Sequence, residues 1–98
     1  MNKPAAITPD HTVAKSDNFV ESSVDGEAIL MNLDEGNFSS LKSTGLRIWT
    51  LLDEPKRVCD ICDQLMEEFE VEEAVCQQQT IAFLEGLRSQ GLITLEAG

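Results

Sequence analysis

Residues Leu33 to Leu52 read LDEGNFSSLKSTGLRIWTLL, and the fold turns on how this stretch divides. Asp34-Glu35-Gly36-Asn37 has turn chemistry, because Gly and Asn accept backbone angles that other residues resist. Phe38-Ser39-Ser40-Leu41 follows as a short strand. From Ser43 the period becomes helical: Leu46, Ile48, Trp49, Leu51 and Leu52 cover more than half the helix circumference, and only Arg47 and Thr50 mark a polar side. A helix this apolar is buried, and Asp53-Glu54-Pro55 ends it, since the residue before proline disfavours helical angles. A strand four residues long is therefore fixed directly to a core helix.

Upstream, the pattern from His11 is strand-like. Phe19-Val20 and Val24 precede Asp25-Gly26, a two-residue hairpin signal. After it, Ala28-Ile29-Leu30-Met31-Asn32-Leu33 is an apolar run with Ile29, Met31 and Leu33 sharing one face. With Phe38–Leu41 as the third strand, this predicts a small antiparallel meander. Downstream, Val58, Ile61, Cys62, Leu65, Met66 and Phe69 lie on one side of an amphipathic helix, opposite Asp60, Asp63, Gln64, Glu67 and Glu68. A third helix is expected from Glu72 to Gln90, with Cys76, Thr80, Phe83, Leu84 and Leu87 as its core face and Gly91 as its stop. Leu92-Ile93-Thr94-Leu95 is a short strand or extended tail. The expected fold is α+β and winged-helix-like: a three-stranded antiparallel sheet plus a three-helix bundle. It forms a single domain over residues 11–95, after a disordered lead at 1–10 and before a tail at 96–98.

The chain has 98 residues, with eighteen Asp and Glu against seven Lys and Arg. Its size favours a binding module over an enclosed catalytic cavity, because a domain this small buries only about 60–70% of its unfolded surface. The acidic balance repels phosphate backbones and anionic membranes. A winged-helix DNA-binding regulator would need a basic recognition helix, whereas the third helix sets Glu72, Glu73 and Glu85 against Arg88. No signal-peptide core or membrane-spanning run occurs. The three cysteines, an odd number, read as free thiols of a cytoplasmic protein.

Cys59-Asp60-Ile61-Cys62 is the one constellation with metal or redox spacing. A structural zinc site needs four ligands, and the remaining candidates are Cys76 and His11. A redox pair belongs at a helix start within a βαβ pattern, which is absent. The small zinc or redox module thus yields to Cys62 as a core residue with Cys59 at its border. Asp34-Glu35, Glu67-Glu68 and Glu72-Glu73 fall in turns or on polar helix faces, and Trp49 reads as a core anchor. No catalytic set, metal site or cofactor is expected.

Two features exceed what a bland domain requires. Phe38–Leu41 has no proline or lysine to blunt its free edge, and Gln77, Ile81, Leu84 and Arg88 recur as a mixed stripe on the third helix. Together they read either as a groove in which an extended peptide adds as a strand, or as an edge that is covered by the lead or by a second copy, or simply short. On the first reading, proline at Ser39 removes an edge donor. A free edge also allows a monomer or a weak or swapped dimer.

The run AILMNLDEGNFSSLKSTGLRIWTLLDEP, then CDQLMEEFEV, then IAFLEGLRSQGLI, resembles the coenzyme PQQ synthesis protein D family, the recognition elements of ribosomal peptide modification. The marks are Leu33 and Gly36, Leu41, Ile48-Trp49 with Leu52, Phe83-Leu84 with Leu87, and Gly91-Leu92. The resemblance implies a non-catalytic chaperone. A precursor's leader peptide would lie antiparallel on the third strand, between it and the third helix, for delivery to a radical SAM enzyme in PQQ biosynthesis or to a leader peptidase in lasso-peptide pathways. By position, the implied site is Asn37, Phe38, Ser39, Ser40 and Leu41 with a helix wall of Gln77, Thr80, Ile81, Leu84 and Arg88. Lys42 stands where such proteins often carry a capping Asn, which leaves Ser43 to cap the first helix. Arg57 replaces a capping Thr or Ser, and Gln79 an Asp.

Overall fold

The computed structural model describes residues 6–96. Strands β1 (Thr12–Lys15), β2 (Phe19–Val24), β3 (Glu27–Asn32) and β4 (Phe38–Leu41) lead into α1 (Ser43–Leu51). Then come β5 (Lys56–Arg57), α2 (Val58–Glu68), α3 (Glu73–Ser89) and β6 (Ile93–Glu96). The expected meander is present as the antiparallel sheet β2–β3–β4. Its β2–β3 turn has φ values of +50° at Asp25 and +79° at Gly26, the left-handed pair that a two-residue hairpin requires.

A second three-stranded sheet, β5–β1–β6, was not expected. It joins Thr12–Lys15 to Ile93–Glu96 in antiparallel register and adds two residues before α2. Such pairing between distant segments carries no local turn signal, so the sequence showed Leu92–Leu95 only as a short strand or extended tail without a partner. The whole is α+β and winged-helix-like, with three helices and two small antiparallel sheets.

One hydrophobic cluster joins both sheets and all three helices; Val13, Leu30, Val58, Ile61 and Leu84 are each fully enclosed. Trp49 is buried against it and donates its Nε1–H to Glu21 Oε1 at 3.0 Å. Phe19 meets the indole edge-on at 5.2 Å, and the Lys15 ammonium lies 4.4 Å from the ring centroid. These contacts tie β1 and β2, in different sheets, to α1, so Trp49 is the anchor its surroundings in the sequence suggested.

Helix ends show how the chain compensates for unusual caps. Ser43 does not cap α1: Lys42 occupies the N-cap position without a side-chain bond, and Ser43 is itself left-handed at φ +55°. At α2 the first-turn N–H groups of Val58 and Cys59, which have no partner within the helix, donate to the carbonyls of His11 and Pro9, each at 2.9 Å. Backbone carbonyls therefore supply what Arg57 cannot, while the Arg57 guanidinium lies 3.5 Å from Asp10. Residues 1–5 of the expected disordered lead lie outside the described residues. Beyond them, Ile7 is 4% exposed and its N–H donates to Glu85 Oε2.

On the surface, Arg47 grips Glu68 with both Nε and Nη2, at 2.8 and 2.6 Å. These bonds hold the Glu68 carboxyl at about 2, well below its ordinary 4.5. A depressed carboxyl stabilises the fold above its unfolded pKa and loses that contribution as pH falls toward the folded value. Acid unfolding should accordingly steepen between pH 4.5 and about 2, and Glu68→Gln should flatten that part of a melting-temperature profile. An unchanged profile would mean the pair is too exposed to matter.

Candidate functional site

The open edge of β4 is defined by register. Leu33 N–H donates to Asn18 O at 2.8 Å and Asn32 N–H to Asn37 O at 2.9 Å. Antiparallel pairs alternate between bonded and non-bonded, so the odd residues of β3 bond to β2 and the even ones to β4. In the β3–β4 register Leu30 faces Ser39 and Ala28 faces Leu41; those two β4 residues spend their backbone groups on β3. Phe38 and Ser40 then turn their N–H and C=O groups away from the sheet, toward a neighbour that β4 lacks. Proline at Ser39 would therefore break the internal ladder; the outward donors are Phe38 and Ser40.

Side chains alternate the other way. Leu41 is 6% exposed in the core. Ser39 faces inward beside it, its hydroxyl donating to Gln90 Oε1 just past the end of α3. Phe38, 70% exposed, and Ser40 point to the opposite face, where the Ser40 hydroxyl donates to Glu27 Oε1 at 2.8 Å.

The position of β4 against α3 is set by a knot around Asn32, which is 2% exposed. Its Nδ2 donates to Gln90 O at 2.7 Å, and its Oδ1 accepts from the N–H groups of Asp34 and Glu35 at 2.8 and 3.0 Å. One side chain thus folds the turn before β4 and fastens it to the helix end. That end is a Schellman stop: Gly91 N–H donates to Arg88 O and Leu92 N–H to Leu87 O, both at 3.0 Å, with Gly91 at φ +75°.

Which flank of α3 faces β4 and the start of α1 follows from two contacts. Gln90 reaches Ser39, and Phe83 lies under Gly45, where an added Cβ would sit 3.0 Å from the ring. At about 100° per residue, Gln79, Phe83, Gly86 and Gln90 share this flank. The expected wall is arranged differently. Thr80 and Leu84 are enclosed in the core at 2% and 0% exposure. Gln77, Ile81 and Arg88 lie on the other flank, roughly 120–160° from Phe83, the flank on which Glu85 meets Ile7 and Arg88. The five β4 residues are brought together; of the five helix residues, Thr80 reaches the apolar cleft beyond Phe83, while Gln77, Ile81 and Arg88 lie on the other flank and Leu84 in the core.

Between β4 and α3 the helix presents Gly86, whose missing side chain would meet nothing within 4 Å. Glycine inside a helix costs about 0.5–1 kcal/mol against alanine, and here it leaves the space beside the edge empty. An interior helix glycine was a signal in the sequence, as was Phe83; Gln90 and Asn32 gave none. Beyond Phe83 the groove opens into an apolar cleft of about 300 Å³ between α1, at Gly45 and Ile48, α2, at Leu65, and α3, at Cys76, Gln79, Thr80 and Phe83. The ensemble offers hydrogen-bonding groups along an edge, free volume beside it and an apolar recess at one end. If a guest occupies that volume, Gly86→Leu should weaken it about tenfold or more by steric exclusion while leaving the melting temperature equal or higher. Unchanged binding would remove Gly86 from the groove.

Of the cysteines, Cys76 lies in the wall of the apolar cleft, while Cys59 and Cys62 are not among its lining residues. Cys62 and Cys76 are buried and Cys59 is partly exposed, and burial pushes the Cys62 thiol up to about 11, away from reactivity. Among the described residues no three His, Cys, Asp or Glu side chains gather as a metal cluster, and no helix is long and apolar enough to cross a membrane.

The family model for coenzyme PQQ synthesis protein D matches residues 27–93. Among solved structures, TbiB1 in complex with the TbiA(beta) leader peptide is 32% identical, with a TM-score of 0.78 over 87% of this chain and 99% of that one. A lasso peptide synthetase B1 complexed with its leader peptide has the same fold at 22% identity, with a TM-score of 0.73 over 84% and 96% of the two chains. No curated protein matches the chain.

Proposed function

We propose, because this chain belongs to the coenzyme PQQ synthesis protein D family, that it is a non-catalytic, cytoplasmic chaperone for the leader of a ribosomally made precursor peptide. The leader adds as a fourth strand to β4, antiparallel to it. The observation that carries this reading is the outward backbone of Phe38 and Ser40 beside the empty volume at Gly86. Main-chain bonds to those two residues supply affinity, and alternate guest side chains drop between β4 and α3 toward Phe83, Gln90 and the apolar cleft, which supplies selectivity. The solved 32%-identical relative is itself a leader-peptide complex, which supports the same mode here. The bound precursor then passes to a modifying enzyme, a radical SAM protein or a leader peptidase.

Calorimetric titration of leader peptides from precursor genes beside this one tests the reading. Saturable one-to-one binding, with the amides of Phe38 and Ser40 protected from hydrogen exchange, is the expected result. A folded protein that binds none of these leaders would refute it.

A further inference from the structure

The strand face that looks most apolar in the sequence is not the one in the core. On β3, Ala28, Leu30 and Asn32 are buried, while Ile29 and Met31 face outward. Register places Val20 and Val24 of β2 and Phe38 of β4 on that same outer face, at 48%, 52% and 70% exposure. Leu33, at its margin, is 56% exposed. No helix of the described residues lies over these side chains, which share the outer face with Ser22, Glu27 and Ser40; the row Val20, Met31 and Phe38, with Ile29 beside it, is an apolar patch left uncovered. A solvated antiparallel sheet ordinarily alternates apolar with polar, and contiguous exposed apolar surface marks an interaction site.

Charge identifies the occupant. Between Lys15 and Lys42 the chain has six carboxylates and no Lys or Arg; Glu21 turns inward to Trp49, which leaves Asp17, Asp25, Glu27, Asp34 and Glu35. A second copy of this chain would bring five more to the same interface, and like charges facing each other cost several kcal/mol of specificity. A partner with an apolar patch rimmed by Lys and Arg is complementary. The face is also continuous with the β4 edge: a strand added there directs every second side chain onto it, beside Phe38.

We propose that the outer face of β2–β3–β4 is the docking surface for the modifying enzyme, which meets it through a basic-rimmed apolar patch and contacts the guest strand at the same time. This rests on the peptide-presenting reading above. Because sheet and guest form one surface, leader and enzyme each tighten the binding of the other by the same factor.

The test uses the full chain, the purified modifying enzyme encoded beside it, and its leader peptide. Val20→Ser/Val24→Ser, at two half-exposed positions away from β4, should weaken the enzyme complex about tenfold or more and leave leader affinity within about twofold. Asp17→Lys/Glu35→Lys should weaken it likewise and flatten its salt dependence. Unchanged enzyme affinity in both variants would overturn the proposal. So would a wild-type chain that binds leader but not enzyme, although leader binding itself would then stand. A sedimenting dimer dissociated by Val20→Ser/Val24→Ser would assign the face to self-association instead. If enzyme binds and leader does not, the peptide reading fails while the docking face remains.

Discussion

Ser40→Pro is expected to weaken leader binding about 10- to 100-fold with little loss of stability. The Ser40 N–H is one of two outward donors of β4, so proline removes a bond to the guest, and its ring projects into the path of the added strand. One lost hydrogen bond accounts for about tenfold, and the ring obstructs its neighbours. The internal ladder is spared, because Ser40 lies opposite Ile29 in a non-bonded pair. Ser40→Ala isolates the hydroxyl's bond to Glu27 and should change affinity little. Ser39→Pro behaves differently: it deletes a bond to Leu30 within the sheet, so binding and fold fail together. Calorimetry alongside thermal melts separates the cases. Full affinity in folded Ser40→Pro would mean the guest does not pair with β4.

Gly91→Ala should lower stability by about 2–4 kcal/mol. An L-residue at φ +75° costs about 1–2 kcal/mol. The new Cβ would also sit 2.6 Å from Asn32 Nδ2, the group that donates to Gln90 O. Relief of that clash breaks or strains a buried hydrogen bond worth about 1–3 kcal/mol when left unmade. The knot also positions β4, so leader affinity should fall with stability. Chemical denaturation of Gly91→Ala, Asn32→Ala and the double variant provides the check. The double variant should cost less than the sum of the singles, because removal of the Asn32 amide removes the clash. Strict additivity would mean that Gly91 matters through its backbone angle alone.

Much of the fold was legible because its signals are local. Asp25-Gly26 admits one hairpin geometry, Pro55 ends a helix, and Gly91 ends another at the residue expected. The apolar spacing from Leu46 to Leu52 marked the helix carrying Trp49. The open strand was legible for the same reason, since Phe38–Leu41 has nothing in its own sequence to protect its edge.

What remained illegible depends on groups far apart in the chain. Thr12–Lys15 becomes a strand by pairing with Ile93–Glu96, and no window of sequence contains both. Asn32 reads as the polar end of an apolar run until Gln90 is placed beside it. Helical spacing showed which residues of α3 share a flank, but the rotation of the helix about its own axis is decided by packing, and that rotation put Phe83, Gly86 and Gln90 beside β4 in place of Gln77, Ile81 and Arg88. By itself, then, the sequence determined the elements, their ends and the presence of an unprotected edge, because turn chemistry and periodicity act over a few residues. Only the tertiary structure decided which backbone groups of that edge point outward, which helix flank faces them and which sheet face is left bare. Register and packing angle arise from contacts between segments that lie tens of residues apart.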